Sequence, residues 1–126
     1  MNKNPVSWFE IYVTDLARAR NFYESVLGVQ LEKLDVPGDS NIMMLAFPSN
    51  MEDYGASGAL VKMDGFSSGG NSTLVYFACD DCSIEESRVV NNGGKIQQPK
   101  ISIGDYGSIS LAVDTEGNMF GLHSMS

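Results

Sequence analysis

WFEIYVTDLARARNFYESVLG, Trp8 to Gly28, is the stretch from which the rest of the chain can be read. Its first part belongs to the alternating segment Val6–Val13, rich in β-branched and aromatic residues, which predicts a strand. Side chains alternate across a strand, so Phe9, Ile11 and Val13 share one face and Trp8, Glu10 and Tyr12 the other. The period then changes. Thr14 or Asp15 offers an N-cap, and Leu16, Ala19, Phe22, Tyr23, Val26 and Leu27 recur at helical spacing. Gly28 stands where a helix commonly stops.

Moving outward, Val29–Leu34 and Asn41–Phe47 read as strands joined through a Pro37-Gly38-Asp39 turn. Ser57–Met63 reads as a further strand after the polar loop Pro48–Ala56, which contains Met51 and Tyr54. The glycine- and serine-rich run 65–72 has the composition of a linker. Beyond it the pattern restarts, with a strand at Thr73–Cys79 and a cap at Asp80 or Asp81. Ser83 and Glu86 stand at capping-box spacing, and the helix stops at Asn91-Asn92-Gly93-Gly94. The apolar stripe of this second helix (Cys82, Val89, Val90, with Ile84 nearby) is weaker than that of the first. Lys95–Gln98, Ser108–Val113 and Met119–Ser124 read as strands, the last two separated by the turn Asp114–Asn118.

The two halves superimpose at a single offset of 66 residues. Phe9, Ile11 and Val13 fall on Val75, Phe77 and Cys79, Asp15 falls on Asp81, and Gly28 falls on Gly94. The reading is an α+β domain over 1–126 built from two βαβββ repeats: a module at 1–64, a linker at 65–72 and a module at 73–126. Neither half could cover its own sheet, so the two are expected to fold as one unit.

Composition narrows the function classes. A chain of 126 residues with 43% apolar content has the size and make-up of one globular domain. The charge balance, 8 basic against 16 acidic residues, leaves no basic face for nucleic acid or for anionic membranes. No apolar run reaches the roughly 18–20 residues that span a bilayer. The N-terminus has no signal-like apolar stretch, and a cytoplasmic location is the expectation.

The Trp8–Gly28 stretch resembles the opening of vicinal oxygen chelate proteins, the glyoxalase/bleomycin-resistance superfamily. The Asn92-Gly93-Gly94-Lys95 stop, Ile103-Gly104-Asp105-Tyr106-Gly107, Asp114-Thr115-Glu116-Gly117-Asn118 and Gly121-Leu122 resemble that family's second half. The resemblance implies curved mixed sheets with helices on the convex side and a small-molecule cavity on the concave side. It also implies a homodimer, an expectation that the open sheet edges support. In metal-dependent members, such as lactoylglutathione lyases and extradiol dioxygenases, four strand residues hold one divalent ion. The corresponding positions here are Trp8, Leu74, Ala59 or Val61, and Gly121, none of which carries an imidazole, carboxylate or thiolate. No cofactor is therefore expected, and a divalent metal is disfavoured.

Glu10 shares the inner face with Trp8. It reads either as a general base in a partly apolar cavity or as a solvated glutamate at its rim. His123, the chain's single histidine, lies two positions beyond Gly121 and faces the same way. It could pair with Glu10, bind a ligand or sit at a dimer contact. Trp8, Leu74, Tyr76 and Tyr106 are the candidate apolar walls, with core packing as the competing explanation. The Cys79-Asp80-Asp81-Cys82 spacing suits a redox pair, but the intervening aspartates and the helix-facing phase of Cys79 favour burial. Arg18 and Arg20, opposite the apolar stripe, read as solvated. The leading expectation is a small-molecule-binding protein. The alternatives are a metal-dependent lyase/isomerase or dioxygenase-related enzyme using Glu10 and His123, and a non-catalytic interaction domain.

Overall fold

Alternation at the start of the chain becomes strand β1 (Phe9–Tyr12), and the change of period becomes helix α1 (Leu16–Leu27). The computed structural model describes residues 4–35, 41–50 and 52–126. The expected Pro37-Gly38-Asp39 turn and Met51 lie outside them. Asp15 caps α1 by accepting the Arg18 amide at 3.0 Å, and Gly28 closes it at φ 69°, a conformation that glycine adopts at little cost. Strands β2 (Glu32–Leu34), β3 (Ile42–Ala46) and β4 (Gly58–Met63) complete a sheet of order β1-β4-β3-β2. In this sheet β1 runs parallel to β4, and the other pairs are antiparallel.

The second half repeats the plan. β5 (Tyr76–Ala78), α2 (Cys82–Val89), β6 (Lys95–Ser102), β7 (Ser108–Val113) and β8 (Met119–Ser124) give the order β5-β8-β7-β6, with β5 parallel to β8. Two βαβββ modules of α+β class are thus present. Differences from the sequence reading have local causes. β6 runs on to Ser102 because register shifts at Ile96/Gln98 and Gln98/Ile101 absorb Pro99 at the sheet edge. Asp81 caps α2, leaving Ser83 inside the helix to bond the cap's Oδ1.

The stop after α2 is Gly93, at φ 94°, not Gly94. Gly94 serves packing instead, since a Cβ there would lie 2.7 Å from the Phe22 ring and 2.6 Å from the Val113 carbonyl oxygen. Of the stripe expected on α2, Cys82 and Val89 are buried, whereas Ile84 and Val90 are exposed.

The helix-facing sides of both sheets meet in one core containing Ile11, Phe22, Tyr23, Phe47, Leu60, Phe120 and Leu122. The Tyr23 ring lies 5.5–5.8 Å from Phe47, Phe77 and Phe120, so one residue of α1 touches rings from both modules. Full burial of a side chain such as Phe22 or Phe120 stabilises by about 2–3 kcal/mol. The segment expected as a linker is docked: Phe66 stacks on Tyr12 at 5.0 Å, and the Gly69 amide donates to Asn118 Oδ1 at 2.7 Å. Among the described residues no helix is long and apolar enough to cross a membrane.

Candidate functional site

Strand pleating aims Trp8, Glu10 and Tyr12 away from the helices, because Ile11 and Val13 are committed to the core. Trp8 is 41% exposed, and its Nε1 donates to Glu10 Oε2 at 3.3 Å. The Tyr12 hydroxyl donates to Glu10 Oε1 at 2.8 Å, so both carboxylate oxygens are held by neighbours on the same strand. That bond raises the pKa of Tyr12, with burial and the Glu10 charge adding to it. Glu10 and Tyr12 also line a recess of about 240 Å³, closed by Ser67, Gly69, Asn71 and Met119.

Across the seam between the two sheets, Leu74 (38%) and Tyr76 (46%) are exposed on the corresponding face of the second module. Tyr76 pairs with Gly121, and a Cβ at Gly121 would lie 2.2 Å from Tyr76 Cδ1. The ring thus occupies the space that a longer side chain at 121 would need. His123 Nε2 lies 2.7 Å from the carbonyl oxygen of Tyr106, whose own ring is 76% exposed. Of the six expected site residues, the structure joins Trp8 to Glu10 and His123 to the backbone of Tyr106. No hydrogen bond among the described residues links Glu10 to His123. Tyr12 was not among the expected site residues, although its position two along from Glu10 was the available signal.

The metal arrangement of the family does not fit these side chains. Trp8, Ala59, Val61, Leu74 and Gly121 offer no donor atoms, and the Tyr76 ring would block a carboxylate at 121. The cysteines are free thiols. Burial, and after it the nearby Glu85 charge, pushes the Cys79 thiol up to about 12, the reverse of what a redox thiolate needs.

A second polar centre went unread in the sequence. Arg18, expected to be solvated, donates from Nε to Glu116 Oε2 at 2.6 Å and from Nη2 to Oε1 at 3.0 Å. Glu116, whose side chain is fully buried, also accepts the amides of Thr14 (3.0 Å) and Asp15 (2.8 Å), which lead into α1. Burial alone would raise its pKa, but Arg18, the Asp15 amide and the Thr115 hydroxyl together hold it at about 2. Beside it, Asp114 accepts the Tyr23 hydroxyl at 2.5 Å and the amides of Glu116 and Asn118. This network fastens the β7–β8 turn to α1. Arg20, the other arginine expected to be solvated, stays exposed but pairs with Glu24 and bonds the Leu31 carbonyl.

Residues 6–122 match the Glyoxalase/Bleomycin resistance protein/Dioxygenase superfamily. Relatives from Mycobacterium bovis and Mycobacterium tuberculosis, each named "Putative glyoxylase CFP32", are 30% identical over 118 residues, which is 92% of this chain and 44% of theirs. Glyoxalase I from Zea mays superposes with a TM-score of 0.74 at 25% identity, over 96% of this chain and 46% of that one. A glyoxalase/bleomycin resistance protein from Albidiferax ferrireducens superposes with a TM-score of 0.65 at 19% identity, over 94% of this chain and 98% of that one, a likeness of fold. The chain spans less than half the length of the curated relatives it matches.

Proposed function

Because the chain belongs to the Glyoxalase/Bleomycin resistance protein/Dioxygenase superfamily, we propose that it binds a small organic molecule on the concave side of its sheets, at the seam between β1 and β5. The observation that carries this reading is the exposure of Trp8, Leu74 and Tyr76 on the faces turned away from the helices, together with one carboxylate, Glu10, that its own strand holds in place. Apolar side chains left exposed together, beside a few fixed polar groups, are what a binding surface requires. A flat, largely apolar molecule would lie on the rings. A hydroxyl or amine on it would compete with Trp8 and Tyr12 for Glu10. His123 and Tyr106, joined at the end of β8, would form the far rim. Glu10 acts here as an acceptor, and no proton transfer is assigned to it.

A second copy of the chain is the natural cover for this face. The Mycobacterium relatives and the maize enzyme are about twice the length of this chain.

Trp8 is the chain's single tryptophan, so its indole N–H gives one identifiable signal in a ¹⁵N correlation spectrum. Titration with 2-naphthol, a flat apolar molecule with one hydroxyl, should move that signal saturably. Glu10→Gln should weaken binding about tenfold, or ~1.4 kcal/mol. An indole signal unmoved by 2-naphthol, together with stoichiometric metal that is lost on His123→Ala, would replace this reading with that of a metal-dependent lyase.

A further inference from the structure

On the opposite side of the seam, where the sheets face the helices, lies a larger cavity of about 620 Å³. Its walls include Phe9, Phe47 and Phe77, with Leu27 and Val29 from the end of α1. The β3–β4 loop borders it with Asp53 and Tyr54, and α2 contributes Glu85. The volume is that of a site for a small molecule, which such pockets hold by apolar walls and a few placed polar groups.

Glu85 is the unusual member. The caps Asp15 and Asp81 set the helices in register at the offset of 66, which places Glu85 on Ala19, a fully buried position of α1. A carboxylate therefore stands on the inward face of α2 where the other repeat has a methyl group. Its Oε1 is shielded from solvent and has no hydrogen-bond partner among the described residues. Buried polar atoms are rarely left so, because an unmet hydrogen bond costs about 1–3 kcal/mol. The nearest expected partner is spent elsewhere: Arg88, one turn along, donates to the Val26 carbonyl at 3.2 Å. Among the described residues the lining holds two carboxylates and no lysine or arginine, while Asp53 is engaged by Asn50.

We propose that this cavity binds an organic cation, an ammonium carried on an apolar or aromatic body, with the ammonium on Glu85 and the body among Phe9, Phe47 and Phe77. A charged donor satisfies the orphaned oxygen, and aromatic faces attract cations. The Cys79 thiol, raised chiefly by burial and further by the charge of Glu85 and a hydrogen bond to its carboxyl, marks the negative field on that side and leaves Oε1 as the oxygen without a partner. This site lies on the other face of the sheet from Trp8 and Tyr76, so either can fail without the other.

Three probes of one size separate the contributions: 3-phenylpropylamine, 3-phenylpropan-1-ol and 3-phenylpropanoate, titrated by calorimetry and ¹⁵N correlation spectra. The amine should bind saturably and move amides of Ser7, Ser57 and Glu85 while leaving the Trp8 indole in place. The alcohol should bind about tenfold more weakly, and the carboxylate should show no binding. Glu85→Gln should bring the amine down to the alcohol's affinity and leave the alcohol unchanged. Val29→Phe, which fills the cavity without touching the carboxylate, should weaken both. Equal binding of amine and alcohol to the unaltered protein, no binding by any of the three, or a shift of the Trp8 indole by the amine would each overturn the proposal.

Discussion

The two modules connect their third and fourth strands at opposite ends of the β1–β5 seam, and the two connections have opposite characters. The β7–β8 turn takes five residues, Asp114–Asn118. It drives a buried glutamate against the start of α1, where Arg18 and two backbone amides meet it. The β3–β4 connection takes eleven residues, Phe47–Ser57, and leaves a cavity in front of the equivalent part of α2. There Glu85 finds no arginine, because the repeat equivalent of Arg18 is the exposed Ile84. One duplicated scaffold thus holds a carboxylate fully partnered at one end and left short at the other. A short turn whose carboxylate meets an arginine of α1 seals the seam. A long loop that supplies none keeps it open for a guest.

Breaking the sealed end should have the largest effect. Glu116→Ala strands the amides of Thr14 and Asp15 and frees Arg18, and should destabilise by about 3 kcal/mol in urea unfolding. A loss under about 1 kcal/mol would show that the network is ornamental, since that is the range of exposed pairs.

Acid should act on the same group. Glu116 is held at about 2 when folded, against about 4.3 for a free glutamate. A depressed folded pKa contributes stability above the unfolded value, and that contribution is lost as pH falls from about 4.3 toward about 2. Asp114, raised mainly by burial, works in the opposite sense and recovers stability as it protonates. Glu116→Gln should therefore flatten, or even invert, the decline of stability with acid in that window. An unchanged slope would refute the assignment.

Tyr23→Phe removes a buried hydroxyl from Asp114 while keeping the ring among Phe47, Phe77 and Phe120. It should cost about 1.5 kcal/mol, read from the urea midpoint. Tyr23→Leu, which also removes the ring, should cost more, and equal costs would assign the whole effect to the core.

The open end should respond with the other sign. Glu85→Met exchanges a carboxylate with one orphaned oxygen for an apolar side chain, and should stabilise the free protein by about 1 kcal/mol, raising the thermal midpoint. Destabilisation would mean that Glu85 already holds a partner within the folded chain.

Much of this was legible beforehand. The Trp8–Gly28 segment yielded β1, α1, its cap and its stop, because local period and capping chemistry do not depend on distant residues. The duplication was visible for the same reason, and with it the shared strand phase of Trp8, Glu10, Leu74 and Tyr76. Arg18 is exposed, as expected, but its pairing with Glu116 went unread because that partner lies 98 positions away. Gly94 was taken for the helix stop, whereas its absent side chain makes room for Phe22 from the other module. The stripe on α2 was weak because one of its inward positions carries Glu85.

Pattern along the chain was enough to specify two βαβββ repeats and the faces of their strands, since each depends on neighbours a few residues apart. Which carboxylates would be satisfied could not be read there. Asp114–Asn118 and Pro48–Ala56 are both simply polar loops in one dimension. Only folding brings one against an arginine and the two amides that lead into α1, and holds the other across a cavity from Glu85, because partners for a buried charge are chosen by distance in space.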